Sequence, residues 1–281
     1  MSFEIVTLYS RPPGILTLWH LLSRRRNYRY LRHLRIWVFC IPFLATDSFA
    51  AHPLVTDDTG TQGQGNFQLE ATVEYGHDKD AGITTNTTEM ATTLTYGIAN
   101  SWDIVLGIPY QFIRTQDHNG TSSVDGISDV AMEVKWRFYE RDGLSFAMKP
   151  GVSFPNGNYK KGLGGGKFAY DLFFIATIDA KPWAFYFNLG YFRYPNKLDE
   201  RQNLWFVSAA STLEVVENLN FAINIGAERN TDKKANTDPA FILGGLIYSL
   251  SKSLDVDIGV KKAITNPETN VSVLTGMTWR F

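Results

Sequence analysis

Three histidines follow residue 50, His52, His77 and His118, and they are the first place to look for chemistry. His118-Asn119-Gly120 with Ser122 and Ser123 comes nearest to a hydrolytic set. A histidine base needs a nucleophile within hydrogen-bond reach and a third group to orient it. This stretch reads as a loop and supplies no such frame, so no enzyme is expected. Metal ligation fares no better: three isolated histidines and no thiol after Cys40 lack ligand spacing. Neither metal nor cofactor is expected. Gly162-Leu163-Gly164-Gly165-Gly166 has no strand–GxxxxGK[ST]–helix frame around it, so it is not a phosphate loop. It reads either as a mobile external loop or as a constriction loop folded inward. Asp57-Asp58 could bind a cation, cap an opening, or belong to a disordered leader.

What remains are charges whose meaning depends on the elements that carry them. The last twelve residues, NVSVLTGMTWRF, alternate: Val271, Val273, Met277, Trp279 and Phe281 on one face, Ser272, Gly276, Thr278 and Arg280 on the other, with Leu274 out of place. Side chains at period two give a strand with one apolar and one wet side. A terminal strand ending Trp-Arg-Phe suits the last strand of an outer-membrane barrel. Aromatics are abundant (Phe 19, Tyr 13, Trp 7), while mean hydropathy is −0.15. After residue 50 no apolar run approaches the ~18 residues a membrane helix needs.

Residues 1–50 read as an export segment. Arg24 to Arg35 is densely basic, Ile36 to Ala45 is apolar, and Ser48 and Ala50 offer a small-x-small cleavage site. The apolar run is too short to span a bilayer. Residues 1–20 exceed what such a signal needs and suggest a start-site artefact or an extended basic region. Cys40 is a passenger within the apolar run. Cleavage removes seven of 27 basic residues and two of 28 acidic ones. The remainder, 20 against 26, carries a net charge of about −6, with no basic patch for nucleic acid. Residues 51–65 form a polar periplasmic leader, and 66–281 form the barrel.

Alternation and turn signals predict twelve strands, over 66–76, 88–98, 102–113, 127–139, 143–155, 167–180, 183–194, 203–214, 218–229, 239–250, 253–263 and 270–281. Runs 167–180, 203–214 and 239–250 alternate poorly, and their faces stay unassigned. Five short turns separate six longer polar loops, as in barrels with short periplasmic turns and long outer loops. An even count returns both termini to the periplasmic side. The expected fold is therefore all-β: a transmembrane antiparallel up-and-down β-barrel of about twelve strands in the bacterial outer membrane. Closure answers the lack of backbone partners in lipid. A secreted sandwich would not need so many aromatics at strand ends. On this register Glu70, Glu74, Glu133, Lys135, Arg137, Lys149, Asp257, Lys261 and Arg280 line the lumen. They are either solvated charges that hold register or the lining of a narrow, selective pore.

Several segments carry a family resemblance: HPLVTDDTGTQGQGNFQLE (52–70), TYGIANSWDIVLGIPY (95–110), GISDVAMEVKWRFYE (126–140), KPGVSFPNGN (149–158), KGLGGG (161–166) and GGLIYSLSKSLDVDIGV (244–260). Together they resemble the outer-membrane transporter family named for meta-pathway phenol degradation. The resemblance implies an outer-membrane barrel that passes small hydrophobic or aromatic solutes. It implies no catalytic or binding residues. The expected partners are outer-membrane lipid, a small hydrophobic solute, and the barrel-assembly machinery, which would read the Phe281 terminal strand. The alternative is a structural or surface-interaction barrel acting through its external loops.

Overall fold

The computed structural model describes residues 52–281, and before them a two-residue antiparallel pairing of Ser2–Phe3 with Leu44–Ala45. The export segment expected over 1–50 otherwise lies outside the described residues, Cys40 included.

Thirteen strands follow in chain order: β1 (Phe67–Asp80), β2 (Ile83–Ala99), β3 (Trp102–Asp117), β4 (Gly120–Ile127), β5 (Val130–Arg141), β6 (Leu144–Phe154), β7 (Ala169–Ala180), β8 (Trp183–Arg193), β9 (Asn203–Val216), β10 (Leu219–Glu228), β11 (Ala240–Ser251), β12 (Leu254–Ala263) and β13 (Val271–Arg280). A 3-10 turn, Tyr159–Lys161, interrupts them. Strand β3 pairs with β4 along its distal half, Tyr110 to Asp117, and with β5 along its first half, Trp102 to Gly107. Strands β4 and β5 therefore share one position, and the wall has twelve staves. It closes where β13 pairs with β1, from Val271↔His77 to Arg280↔Gln68. The seam continues past the last strand residue, because Phe67 and Phe281 exchange both backbone hydrogen bonds, at 2.8 and 2.9 Å. Closure of this kind removes the unpaired edges that lipid could not satisfy.

The side chains sort as period two requires. On β3, Ile104, Ile108 and Phe112 point outward and are exposed, while Asp103, Gln111 and Ile113 are buried inside. On β5, Met132, Trp136 and Phe138 point outward, and Glu133 and Lys135 point in. Large apolar residues outside and charges inside invert the pattern of a soluble domain. Aromatic rings gather where the short turns lie. Trp102 stacks on Trp136 at 5.1 Å, and Phe281 packs on Trp279 at 4.6 Å and on Phe67 at 5.7 Å. No helix among the described residues is long and apolar enough to cross a membrane.

Two expected loops are strands instead. Residues 77–86 extend the β1–β2 hairpin to a tight turn at Ala81-Gly82, both in positive φ. Residues 114–126 become the end of β3 and most of β4. Neither face of the 77–86 extension is apolar, even where Asp78 and Thr85 are buried, so hydrophobic alternation disappears while β-forming threonines such as Thr84, Thr85, Thr87 and Thr88 keep the strand.

Candidate functional site

The inside of the barrel is occupied by the chain itself. Residues 52–62, within the stretch 51–65 expected as a periplasmic leader, cross the barrel's interior as a strap with a turn at 52–53 and bends at Val55, Thr56 and Thr59. An irregular segment in a closed space must find partners for its backbone, and inward-facing side chains of the wall provide them. Asn224 Oδ1 accepts from Val55 N at 2.7 Å. Asn188 brackets Asp57: its Oδ1 accepts from the Asp57 amide at 2.7 Å, and its Nδ2 donates to the Asp57 carbonyl at 2.8 Å. Thr56 Oγ1 donates to Ser208 Oγ at 2.8 Å, and Thr59 N donates to Thr177 Oγ1 at 3.1 Å. His52 begins the strap, with Nδ1 2.5 Å from Asp257 Oδ1. Pro53 lies so close to Gly245 and Gly259 that a Cβ on either would come within 2.5 and 2.7 Å of its ring.

At the middle of the strap Asp57 forms a double ion pair. Its Oδ1 lies 2.7 Å from Lys135 Nζ, and its Oδ2 lies 2.8 Å from Lys149 Nζ. Lys149 also reaches Glu133 Oε2 at 3.3 Å. All four side chains are sealed from solvent. Burial alone would raise the Asp57 carboxyl; the charges of Lys135 and Lys149 outweigh it and hold it down at about 2. Such a cluster persists only because each charge has a close opposite.

The two sides of the lumen differ in chemistry. Strands β7 to β11 turn apolar side chains inward: Phe173, Phe192, Phe206, Phe241 and Leu243 are all buried. Phe173 meets Phe192 and Phe206 edge-on, at 5.2 and 6.1 Å. Leu54 and Val55 of the strap belong to the same apolar cluster. This explains why runs 167–180, 203–214 and 239–250 alternate poorly: both of their faces are apolar. The opposite side, from β12 through β1 to β6, is polar.

Of the nine residues singled out from the sequence, seven are buried on inner faces: Glu70, Glu74, Glu133, Lys135, Lys149, Asp257 and Lys261. Three of them gather around Asp57, while Lys261 pairs with Glu74 at 3.0 Å. Arg137 and Arg280 stand apart, at the short-turn end. Arg137 pairs with the exposed Glu140, and Arg280 donates to Asp255 at 2.7 Å and Gln68 at 3.0 Å. Sequence reasoning misses the strap's anchors Asn188, Asn224 and Ser208. For Asn188 the available signal is a lone amide on an otherwise apolar strand, whereas Asn224 and Ser208 sit among other polar residues and carry no such mark.

The glycine-rich loop folds inward onto Asp129, between β4 and β5. Asp129 accepts from Gly157 N at 2.8 Å and Gly165 N at 2.9 Å, and Ser128 Oγ donates to Leu163 O at 2.7 Å. A Cβ at Gly164 would come 2.3 Å from Asp129 Oδ1, so only glycine permits this approach. The histidines are scattered. His52 lies in the lumen, His77 Nδ1 is 2.8 Å from Asn86 on the β1–β2 hairpin, and His118 lies at the β3–β4 turn. Among the described residues, no three or more His, Cys, Asp or Glu converge as a metal site.

The fold recurs among solved structures. An outer membrane channel of Pseudomonas putida F1 is similar over 80% of this chain and 98% of its own, with a TM-score of 0.63 and 11% identity. The β domain of the Bordetella autotransporter BrkA is similar over 78% of this chain and 100% of its own, with a TM-score of 0.51 and 11% identity. No curated protein sequence matches the chain. The fold is that of bacterial outer-membrane barrels, and the apolar outer belt places the chain in that membrane. Residues 53–281, strap and barrel together, match one family model, and the chain belongs to that family, described as "Putative MetA-pathway of phenol degradation".

Proposed function

We propose that this barrel is a passive outer-membrane channel for small hydrophobic or aromatic solutes, held shut by its own strap in the state described. The observation that carries this reading is the apolar inner wall of β7 to β11, packed against Leu54 and Val55 of the strap. When the strap moves, the surface it uncovers is apolar and aromatic. A small aromatic solute can take the place of the two aliphatic side chains there, because both are apolar against an apolar wall. Passive transport is consistent with a chain that has no nucleotide-binding motif. The name of the similar Pseudomonas putida structure, an outer membrane channel, and the phenol-degradation name of the family lean the same way.

In this reading the short-turn end, where Phe67 and Phe281 meet, faces the periplasm, and assembly machinery reads the β13 terminus. Entry of phenol and toluene into vesicles with a lipopolysaccharide outer leaflet, which slows apolar solutes that cross plain phospholipid unaided, tests the transport claim. Uptake above that of protein-free vesicles, and higher still in a variant lacking 52–62, is the expected result. Equal uptake in all three preparations, with unchanged solute entry in a deletion strain, would favour a surface-interaction barrel acting through its loops.

A further inference from the structure

The outer face of the barrel changes character at one height. On β3 the outward residues from Trp102 to Phe112 are apolar or aromatic. That run, at a rise of about 3.3 Å per residue and a tilt of about 40°, covers about 25 Å, the height of the apolar band of such barrels. Arg114 is the next outward residue and the first beyond the band. Strand β1 repeats the pattern: Phe67, Leu69, Val73 and Tyr75 face outward, and His77 and Lys79 follow. His77 is the register partner of Asn86 on β2, and Asn86 of Arg114 on β3. Neighbouring strands lie about 4.8 Å apart, so His77 and Arg114 flank Asn86 with about 10 Å between their backbones.

An open cleft of about 320 Å³ lies on this face, lined by Tyr75, Thr88 and Phe112 in one row and by Asn86, Arg114 and Ser123 in the next. The lower row carries the rings, and the upper row carries hydrogen-bond donors. Asn86 Oδ1 accepts from the Tyr75 hydroxyl at 2.9 Å and lies 2.8 Å from His77 Nδ1, which leaves its amide nitrogen to donate. The side chains of Arg114 and Lys79 have no carboxylate partner among the described residues. The acid on this face, Asp125, also borders the cleft and is engaged by the Tyr110 hydroxyl at 2.7 Å. Free cations set directly above exposed rings suit an anion that carries its own apolar body.

We infer that the outward face of β1 to β4 at this rim binds a phosphorylated, acylated glycolipid of the outer leaflet, with its phosphate on Arg114 and its acyl chains along Phe112 and the apolar residues below. A guanidinium offers paired N–H groups that match phosphate oxygens. Asn86 and Ser123 can donate beside it. Lys79 stands as far along β1 from Phe67 as Arg114 stands along β3 from Trp102, so it adds a second positive charge at the same height. The site rests on the reading that puts the long-loop end outside, and it needs no conduction.

Native mass spectrometry of the folded full chain in neutral detergent, with bis-phosphorylated lipid A added, tests the site. One retained lipid A per barrel is expected, and none of its dephosphorylated form. Arg114→Gln should cut retention at least about tenfold, because the charge-assisted contact is lost. Lys79→Gln should cut it by a smaller factor, and it serves as the second variant if Arg114→Gln does not run as a closed barrel on cold gels. Equal retention of dephosphorylated lipid A or of phosphatidylglycerol, or undiminished retention in the Lys79→Gln/Arg114→Gln double variant, would overturn the site. Orientation is read separately. An impermeant maleimide should label Asn119→Cys, at the β3–β4 turn, in intact cells. Labelling only after the outer membrane is opened would overturn the orientation and with it the outer-leaflet partner, while the micelle result still reports on the phosphate site.

Discussion

Asp57 Oδ2 and Lys149 Nζ lie 2.8 Å apart, with both side chains fully sealed from water. One residue belongs to the strap and the other to the wall strand β6. With Lys135 on the neighbouring strand, this contact fastens the strap to the wall.

Asp57→Asn removes one charge from beneath two lysines. Losing one partner of a buried pair costs about 3–5 kcal/mol, which loosens the middle of a strap otherwise held by its hydrogen bonds to Asn188, Asn224, Ser208 and Thr177 and by the apolar contacts of Leu54 and Val55. A cysteine placed by Thr56→Cys reports this directly. Maleimide should leave it unlabelled when Asp57 is native and label it when Asp57→Asn is also present. Equal protection in both backgrounds would mean that the ion pairs do not hold the strap.

The same carboxyl sets an acid limit. Its value in the docked state, about 2, lies below the ordinary 3.8. The stabilisation is therefore complete above about pH 4 and is lost as pH falls through about 2. Labelling of Thr56→Cys after acid pulses should rise only in that window, not between pH 5 and 8.

Glu200, in the loop after β8, behaves oppositely. Burial, with the charge of Asp232 beside it, pushes its carboxyl from 4.5 up to about 8. The unfolded loop then releases its proton first as pH rises. Stability is full below about pH 4.5 and declines until about pH 8. The protection factor over 194–202, with the intrinsic rise of amide exchange with pH divided out, should fall between pH 5 and 8 in the native chain. Glu200→Gln should flatten that profile.

Phe281 closes the seam through two backbone hydrogen bonds with Phe67 and through ring contacts with Phe67 and Trp279. Deleting it removes all of these. Heat-modifiable mobility on cold gels, which reports closed barrels, should fall severalfold in cells. In detergent refolding the loss should be smaller if assembly machinery reads this residue. Equal losses in both settings would argue against such reading.

Phe206→Ala empties part of the luminal apolar wall. The residue is 1% exposed and meets Phe173 edge-on. Truncation of this kind costs about 3–5 kcal/mol. Urea unfolding in micelles should register it, whereas Phe187→Ala on the lipid face should cost less.

The strands most legible in the sequence are those with one apolar and one polar face. In β3, Ile104, Ile108 and Phe112 against Asp103 and Gln111 give strict period two, and β5 and β6 do the same. Strands β7, β9 and β11 can be placed but not oriented, because Phe173, Phe206 and Leu243 make the inner face as apolar as the outer. The strap is not legible at all. Its backbone is bonded to single side chains such as Asn188 and Asn224, which impose no period on residues 52–62. The direction of the inner charges can be read from their parity; their grouping around Asp57 cannot, because the strap brings them together.

The divided interior also has a mechanical meaning. Behind β7 to β11 the wall rests on interlocked rings, which resist compression as any close-packed solid does. Behind β1 to β3 it rests on ion pairs and amides, which can exchange partners as the wall bends. Lateral pressure from the bilayer is therefore carried unequally around the circumference. The joint between Phe67 and Phe281 lies on the side backed by ion pairs and amides, away from the interlocked rings.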